Sequence, residues 1–317
     1  MTYIAFTIFP VFGIILLGFG LRKIGFLDPG METALNKLSY WVCLPLFITW
    51  RMAKAPAVNA QALHTTLGLL LVTVAMVLLG LLTGALLRLP HRSRGTFLQA
   101  IFRGNLAYVG IPVITFAIAA QGPEAQRAAE SLTVLTMTPI VLLYNLMGVM
   151  ALEWDRRHES THHPLRVWLR ATVRNPLIIA CIAGLIWNFA RIPTPDLLER
   201  MINPLAAAAF PLALLAIGAR IASLSWQHAG RGVLGVCLIK NVIALPLALG
   251  VCALLGLDGL PRLIVLVLSA VPTAVASYVL VDQLDGDRDL GAATIAATTA
   301  MSVLSLSAAL WFAGVAS

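Results

Sequence analysis

Ten apolar stretches, each about the length of a membrane-spanning helix, make up most of this 317-residue sequence. They cover residues 3–21, 34–52, 64–87, 96–120, 129–152, 175–190, 198–219, 230–256, 261–283 and 291–314. A helix needs roughly 20 mostly apolar residues to cross the hydrocarbon core of a bilayer. Short segments with turn-forming glycine and proline separate the stretches. The sequence therefore predicts an all-α membrane protein with ten transmembrane helices.

The composition excludes several classes of protein. Charged residues make up 11% of the chain and the mean hydropathy is +0.89, whereas a soluble domain is about 25% charged. A soluble enzyme, a disordered chain and a nucleic-acid binder are therefore not expected. An intramembrane hydrolase would need a midplane nucleophile or metal set, such as HExxH or paired aspartates, and the sequence contains neither. We therefore expect no enzyme activity, no metal and no cofactor.

The cysteines also lack a pattern typical of redox or metal chemistry. The four are Cys43, Cys181, Cys237 and Cys252. All lie in apolar stretches and none forms a CxxC pair, so we expect them to be small buried apolar residues.

The distribution of Lys and Arg predicts the orientation in the membrane. If the N-terminus lies outside, the inner loops contain thirteen of the 22 basic residues and the outer loops contain six. The positive-inside rule then places both termini outside. The longest loop, residues 153–174, would be cytoplasmic.

Prolines inside the apolar stretches indicate an internal repeat. Pro45 and Pro112 lie 67 residues apart in the second and fourth stretches, and Pro211 and Pro272 lie 61 residues apart in the seventh and ninth. Two halves of five helices must have opposite orientations, which is the inverted-repeat plan of many secondary transporters. The predicted halves are residues 1–152 and 175–317.

The fourth stretch contains residues that interrupt a helix. Gly104, Asn105, Gly110 and Pro112 fall within nine residues, and proline removes a backbone donor and disfavours helix in the residue before it. We expect non-helical backbone at 105–111 and at 270–272 in the ninth stretch, with the two segments crossing near the midplane. The alternative is a simple kink at each proline.

Such breaks create new helix N-termini inside the membrane. Pro112 and Pro272 fit the first turn of the half-helices that follow, and two such N-termini at the midplane favour an anion. Gly110 and Thr273 flank the two prolines and are included in the predicted site.

Two cations lie well inside the apolar stretches, away from the ends of those stretches. Lys240 is about 14 Å beyond Arg231, near the bilayer centre, and Arg103 lies in the inner half of the fourth stretch. A central cation costs at least about 2.5–3.5 kcal/mol on insertion scales and needs a partner. No Asp or Glu lies mid-stretch, so either cation would complement an anionic substrate. Alternatively, they bind helix-end carbonyls or snorkel.

Weaker polar candidates lie on the fifth stretch. Thr138 and Asn145 would line the same cavity, although hydroxyls in spanning helices commonly bond their own backbone. The missing central carboxylates argue against a sodium–proton antiporter with paired aspartates. A sodium site of carbonyls, Asn and Thr stays open.

The segment Asn105–Pro112 resembles the N-x-x-x-x-G-[IL]-P signature of the auxin efflux carrier family. The Asn-Pro-Leu run at 175–177 and the Val-Pro-Thr-Ala run at 271–274 are similar to further family motifs, in the same order along the whole chain. The short 153–174 loop resembles the bacterial permease branch, whose members include malate and malonate permeases.

The resemblance implies a ten-helix fold with crossed, broken helices 4 and 9, like that of bile-acid transporters and sodium–proton antiporters. It implies a scaffold of helices 1, 2, 6 and 7, a mobile core of helices 3–5 and 8–10, elevator-type alternating access and a homodimer. It also implies location in the bacterial inner membrane and a crossover role for Asn105. Relatives often carry Asn where this chain has Ala276, and Ser277 or Tyr278 would substitute.

The sequence thus predicts a secondary transporter of small organic anions, mono- or dicarboxylates, in the lipid bilayer. A sodium-coupled symporter of the bile-acid-transporter type and a membrane anion sensor are the alternatives, and the coupling ion, H⁺ or Na⁺, is open. The predicted substrate-binding residues are Arg103, Asn105, Gly110, Pro112, Thr138, Asn145, Lys240, Pro272, Thr273 and Ser277.

Overall fold

The computed structural model describes residues 2–55, 60–154, 173, 175–223 and 230–314, and these residues fold almost entirely into helices. The α-helices are α1 (Thr2–Lys23), α2 (Pro29–Leu38), α3 (Leu44–Ala53), α4 (Ala60–Leu86), α5 (His91–Phe102), α6 (Ile111–Ile118), α7 (Pro123–Trp154), α8 (Pro176–Phe189), α9 (Asp196–Ala207), α10 (Ala209–Ser223), α11 (Arg231–Cys237), α12 (Ala244–Leu255), α13 (Gly259–Ala270), α14 (Ala276–Gln283) and α15 (Arg288–Phe312). Three π turns, which are wider than an α turn, lie next to these helices. Ser39–Cys43 joins α2 to α3, Leu106–Gly110 precedes α6, and Leu238–Ile243 joins α11 to α12.

Within the described residues, six helical segments are long and apolar enough to cross a bilayer, judged by length and composition. They are Phe6–Lys23, Ala60–Leu86, Pro123–Leu152, Asp196–Ser223, Arg231–Leu255 and Arg288–Phe312. Shorter apolar helices occupy Leu106–Gln121, Pro176–Phe189 and Gly259–Ala270. The predicted all-α membrane class is confirmed, and so is the burial of the four cysteines, which are free thiols.

One group of helices packs through glycine. Helix α1 packs along α10, and α3 packs along α8. A Cβ on Gly18 would overlap the Leu215 carbonyl of α10, and a Cβ on Gly184 would overlap the Thr49 carbonyl of α3. Glycine therefore allows close backbone approach in both helix pairs.

The second group surrounds α13. This helix packs against α4, α12 and α15, and every side chain from Leu263 to Ala270 is buried. A helix that is apolar on all sides belongs in the interior of a bundle, which explains why this stretch of sequence has no polar face.

The helix breaks exist but lie at other positions than the sequence predicts. Helix α5 ends at Phe102 and the backbone is non-helical at 103–105, whereas 106–110 form a π turn. The prediction of non-helical backbone at 105–111 is therefore wrong beyond its first residue. The Asn105 carbonyl accepts hydrogen bonds from the amides of both Val109 and Gly110, each at 3.2 Å, which keeps this segment helical.

The second break spans residues 271–275, longer than the predicted 270–272. Pro112 lies in the first turn of α6, as expected. Pro272 does not begin a half-helix: it lies within the break, and Val271 before it is extended, with ψ of 152°. A residue before proline avoids the α region, so this proline ends α13 and leaves α14 to begin at Ala276.

Candidate functional site

The two broken segments pair with each other through their backbones. Gly104 and Thr273 form an isolated antiparallel β-bridge. The flanking bonds run from the Asn105 amide to the Pro272 carbonyl (2.8 Å) and from the Ala274 amide to the Arg103 carbonyl (2.9 Å). Backbone groups freed by the breaks are thus satisfied by protein. We call this paired region, residues 103–105 with 271–275, the crossover.

Hydroxyl groups satisfy carbonyls at the C-terminal ends of both interrupted helices. Thr273 Oγ1 donates to the Ala100 carbonyl of α5 at 2.8 Å. Ser305 Oγ donates to the Ala270 carbonyl of α13 at 2.9 Å. These two helix-end carbonyls are therefore already engaged, and the Thr273 hydroxyl serves the crossover itself.

Lys240 reaches the crossover from the π turn between α11 and α12. The residue is 3% exposed, and a Cβ added to Gly104 would lie 3.2 Å from Lys240 Nζ. Among the described residues, its side-chain nitrogen has no hydrogen bond or ion pair. The structure therefore places a buried lysine side chain without a described partner beside the first broken segment.

The π turn that carries Lys240 is attached to α15. Asn241 Nδ2 donates to the Thr298 carbonyl at 3.1 Å and to Ser305 Oγ at 3.3 Å. The sequence analysis did not single out Asn241 or Ser305. A second polar residue directly after Lys240 in an apolar stretch was the available signal.

Asn105 begins the π turn that leads into α6. The residue is 5% exposed, and its backbone is engaged on both sides, as described above. Its side-chain amide has no hydrogen-bond partner among the described residues. It follows Gly104 in the sequence, and Lys240 Nζ lies beside that glycine.

Arg103 lies in the break, not inside a helix as expected, and neutral amides hold it. One terminal nitrogen donates to Asn145 Oδ1 at 2.9 Å and the other to Gln99 Oε1 at 3.4 Å. Gln99 Nε2 in turn donates to the Ser277 carbonyl at 3.1 Å, which links α5 to α14. The Asn145 Nδ2 and Ser277 Oγ atoms are buried and have no hydrogen-bond partner within the described part of the chain.

Gln99 is a site residue that the sequence analysis missed. It lies four residues before Arg103, a spacing that puts two residues on one face of a continuous helix such as the sequence predicts here, and that spacing was the signal. The phenols of Tyr40 and Tyr144 are close enough to Arg103 to interact with it electrostatically. No carboxylate among the described residues pairs with this guanidinium.

Two further predicted residues, Gly110 and Thr138, have packing and backbone contacts of their own. Gly110 is buried, and a Cβ there would be 2.5 Å from the Leu268 side chain, so it provides close packing. The Thr138 hydroxyl donates to the Val134 carbonyl at 2.7 Å and lies 3.2 Å from Cys181 Sγ on α8. These contacts do not bring Thr138 to the crossover.

Glu130 is buried within α7, although in the sequence it lies at the start of the fifth apolar stretch. Helix α7 begins at Pro123 rather than at residue 129, which puts Glu130 in its third turn. Its carboxylate is ion-paired with Arg51 of α3 and accepts a hydrogen bond from Thr115 Oγ1 at 3.1 Å. This pair joins the two helix groups away from the crossover.

Comparisons with known proteins cover nearly the whole chain. The sequence profile of a family described as membrane transport protein matches residues 3–311. An uncharacterised transporter from Methanothermobacter thermautotrophicus is 25% identical over 307 residues, which is 95% of each chain. Both matches therefore include the crossover, Lys240 and the two helix groups.

Proposed function

The chain belongs to the membrane transport protein family, which is the auxin efflux carrier family that its Asn105–Pro112 motif resembles, and we propose that it is a secondary transporter of small organic anions. The substrate would be a mono- or dicarboxylate bound at the crossover. One observation carries this proposal: the buried Lys240 ammonium is unpaired among the described residues and lies beside the break.

The polar groups left over at the crossover favour an anion. An uncompensated ammonium at this depth costs several kcal/mol, at least about 2.5–3.5 on insertion scales, and a substrate carboxylate would offset that cost. The Asn105 amide and Asn145 Nδ2 are further donors without partners. The half-helix that begins after Asn105 adds the partial positive charge of its N-terminus. Carbonyls that a cation would use, those of Ala100 and Ala270, are already engaged.

We propose ten spans in two inverted five-helix repeats. The pairs α2–α3, α5–α6, α9–α10, α11–α12 and α13–α14 each count as one span, and the other helices count singly. In such a repeat, span 1 corresponds to span 6 and span 2 to span 7, so α1 corresponds to α8 and α10 to α3. The contact between α1 and α10 should then have a counterpart between α8 and α3, and both contacts exist. Likewise, α5 corresponds to α13 and α7 to α15. The contact between α5 and α7 has its counterpart between α13 and α15.

We further propose an elevator mechanism with a scaffold (α1–α3 and α8–α10) and a core (α4–α7 and α11–α15). Polar bonds tie the two repeats together within each group: Gln99 to Ser277 in the core, Ser39 to the Ala209 carbonyl in the scaffold. Each group would therefore move as a unit, with the core carrying the substrate. We further propose a homodimer through the scaffold, in the bacterial inner membrane with both termini outside.

Uptake of radiolabelled carboxylates into proteoliposomes tests the proposal. We expect saturable uptake of at least one mono- or dicarboxylate, reduced at least tenfold in Lys240→Gln and unchanged in the control Lys37→Gln, which alters an exposed lysine of α2. Binding without uptake would indicate the alternative, an anion sensor. No binding of any carboxylate by a folded protein would contradict the proposal.

The same vesicles distinguish the coupling ion. Uptake that requires an inward sodium gradient would indicate the sodium-coupled symporter, and uptake driven by a proton gradient would indicate proton coupling. We expect no sodium requirement, because an unpaired cation already lies at the crossover.

A further inference from the structure

A cavity lies on the side of the core, and its inner end reaches Phe102 next to the crossover. A groove of about 540 Å³ runs between α4, α5 and α7, within the roughly 300–1,000 Å³ of small-molecule pockets. Leu81 and Met150 on its rim are about half exposed, so the groove opens on the outer surface of the bundle. The glycine pair Gly80 and Gly84, spaced as GxxxG, belongs to its wall.

The length of this groove fits within one leaflet. It extends along α4 from Val77 to Ala85 and along α5 from Arg94 to Phe102. Eight residues of helix rise about 12 Å, which is less than half of the ~30 Å hydrocarbon thickness. Because α5 starts at the short connection after α4, the Arg94 end is the water-facing end and the Phe102 end lies deep in the membrane.

Charge distinguishes the two ends. Arg94 is the charged residue of the lining, and the others are apolar or glycine. Its Nε donates to the Leu89 carbonyl at 2.9 Å, and among the described residues it has no ion pair. Its terminal nitrogens are therefore available to an anion at the membrane surface.

We propose that this groove binds one anionic phospholipid, with an acyl chain between α4, α5 and α7 and its phosphate on Arg94. The apolar, leaflet-deep wall fits a hydrocarbon chain, and Met147 and Met150 supply side chains that adapt to it. The inner end of the chain would contact Phe102, the last residue of α5 before the crossover. The lipid would thus pack against the end of α5, directly before Arg103.

Lipid-dependent unfolding of the purified protein in neutral detergent tests this site. Phosphatidylglycerol should raise the unfolding temperature more than phosphatidylcholine with the same chains, because a bound ligand stabilises the folded state. A basic residue near the membrane surface is expected to contribute about fivefold in affinity. Arg94→Gln should therefore weaken the phosphatidylglycerol effect about fivefold, and Arg92→Gln, an exposed arginine outside the groove, should not.

A second pair of variants tests the apolar part. Ala85→Phe narrows the groove at an exposed position, and Leu82→Phe adds bulk on the same helix outside it. We expect native mass spectrometry to show one retained lipid on the wild type and on Leu82→Phe, and none on Ala85→Phe. Equal stabilisation by both lipids that neither Arg94→Gln nor Ala85→Phe changes would indicate ordinary annular lipid and overturn the proposal. Stabilisation by inorganic phosphate alone would also overturn it.

Discussion

Replacing Lys240 with methionine removes the charge at the crossover while keeping a long, flexible side chain. Because no described residue pairs with the ammonium, the change removes an uncompensated buried charge. Lysine at a bilayer centre costs at least about 2.5–3.5 kcal/mol on insertion scales. We therefore expect the unliganded Lys240→Met protein to be more stable than the wild type, by up to about 3 kcal/mol.

The same substitution should act in the opposite direction on ligand binding. If a substrate carboxylate accepts a charge-assisted hydrogen bond from Lys240, its loss costs about 1.5–3 kcal/mol, or roughly ten- to a hundredfold in affinity. A variant that is more stable without ligand but binds the ligand more weakly indicates that the lysine serves ligand binding rather than folding.

The assay is thermal unfolding in detergent, with and without a carboxylate identified by screening. Lys37→Met is the control, because Lys37 is exposed on α2, and it should change neither quantity. If Lys240→Met lowers the stability of the unliganded protein and leaves the ligand affinity unchanged, Lys240 is a structural residue and the reasoning is refuted.

Three further substitutions or labels have defined outcomes. Asn105→Ala should lower carboxylate affinity by at least about threefold by isothermal titration, and an affinity equal to that of the exposed-site control Asn36→Ala would exclude a ligand role. Thr273→Val leaves the buried Ala100 carbonyl without its donor, which should cost about 1–3 kcal/mol of stability; an unchanged unfolding temperature would contradict the proposed cap. A single cysteine introduced at 153–174 should react with an impermeant reagent only from the cytoplasmic side, and labelling of intact cells from outside would reverse the proposed orientation.

The class of protein and the existence of the breaks could be read from the sequence. Apolar stretches of this length and an 11% charged fraction leave a membrane bundle as the consistent fold. Proline and glycine act through local sterics, so Pro112 and Pro272 revealed interrupted helices without any knowledge of their neighbours. Lys240 was identifiable because a charge in an apolar stretch is rare.

The details of the crossover depended on tertiary structure. Helix α5 ends before Asn105 because the Arg103 carbonyl and the Asn105 amide bond to a segment about 170 residues away, and no local pattern contains that pairing. The roles of Gln99 and of the Arg51–Glu130 pair likewise depend on which helices become neighbours. The sequence determined where a helix is difficult to continue, whereas packing determined which distant groups satisfy the freed backbone and left Lys240 without a partner.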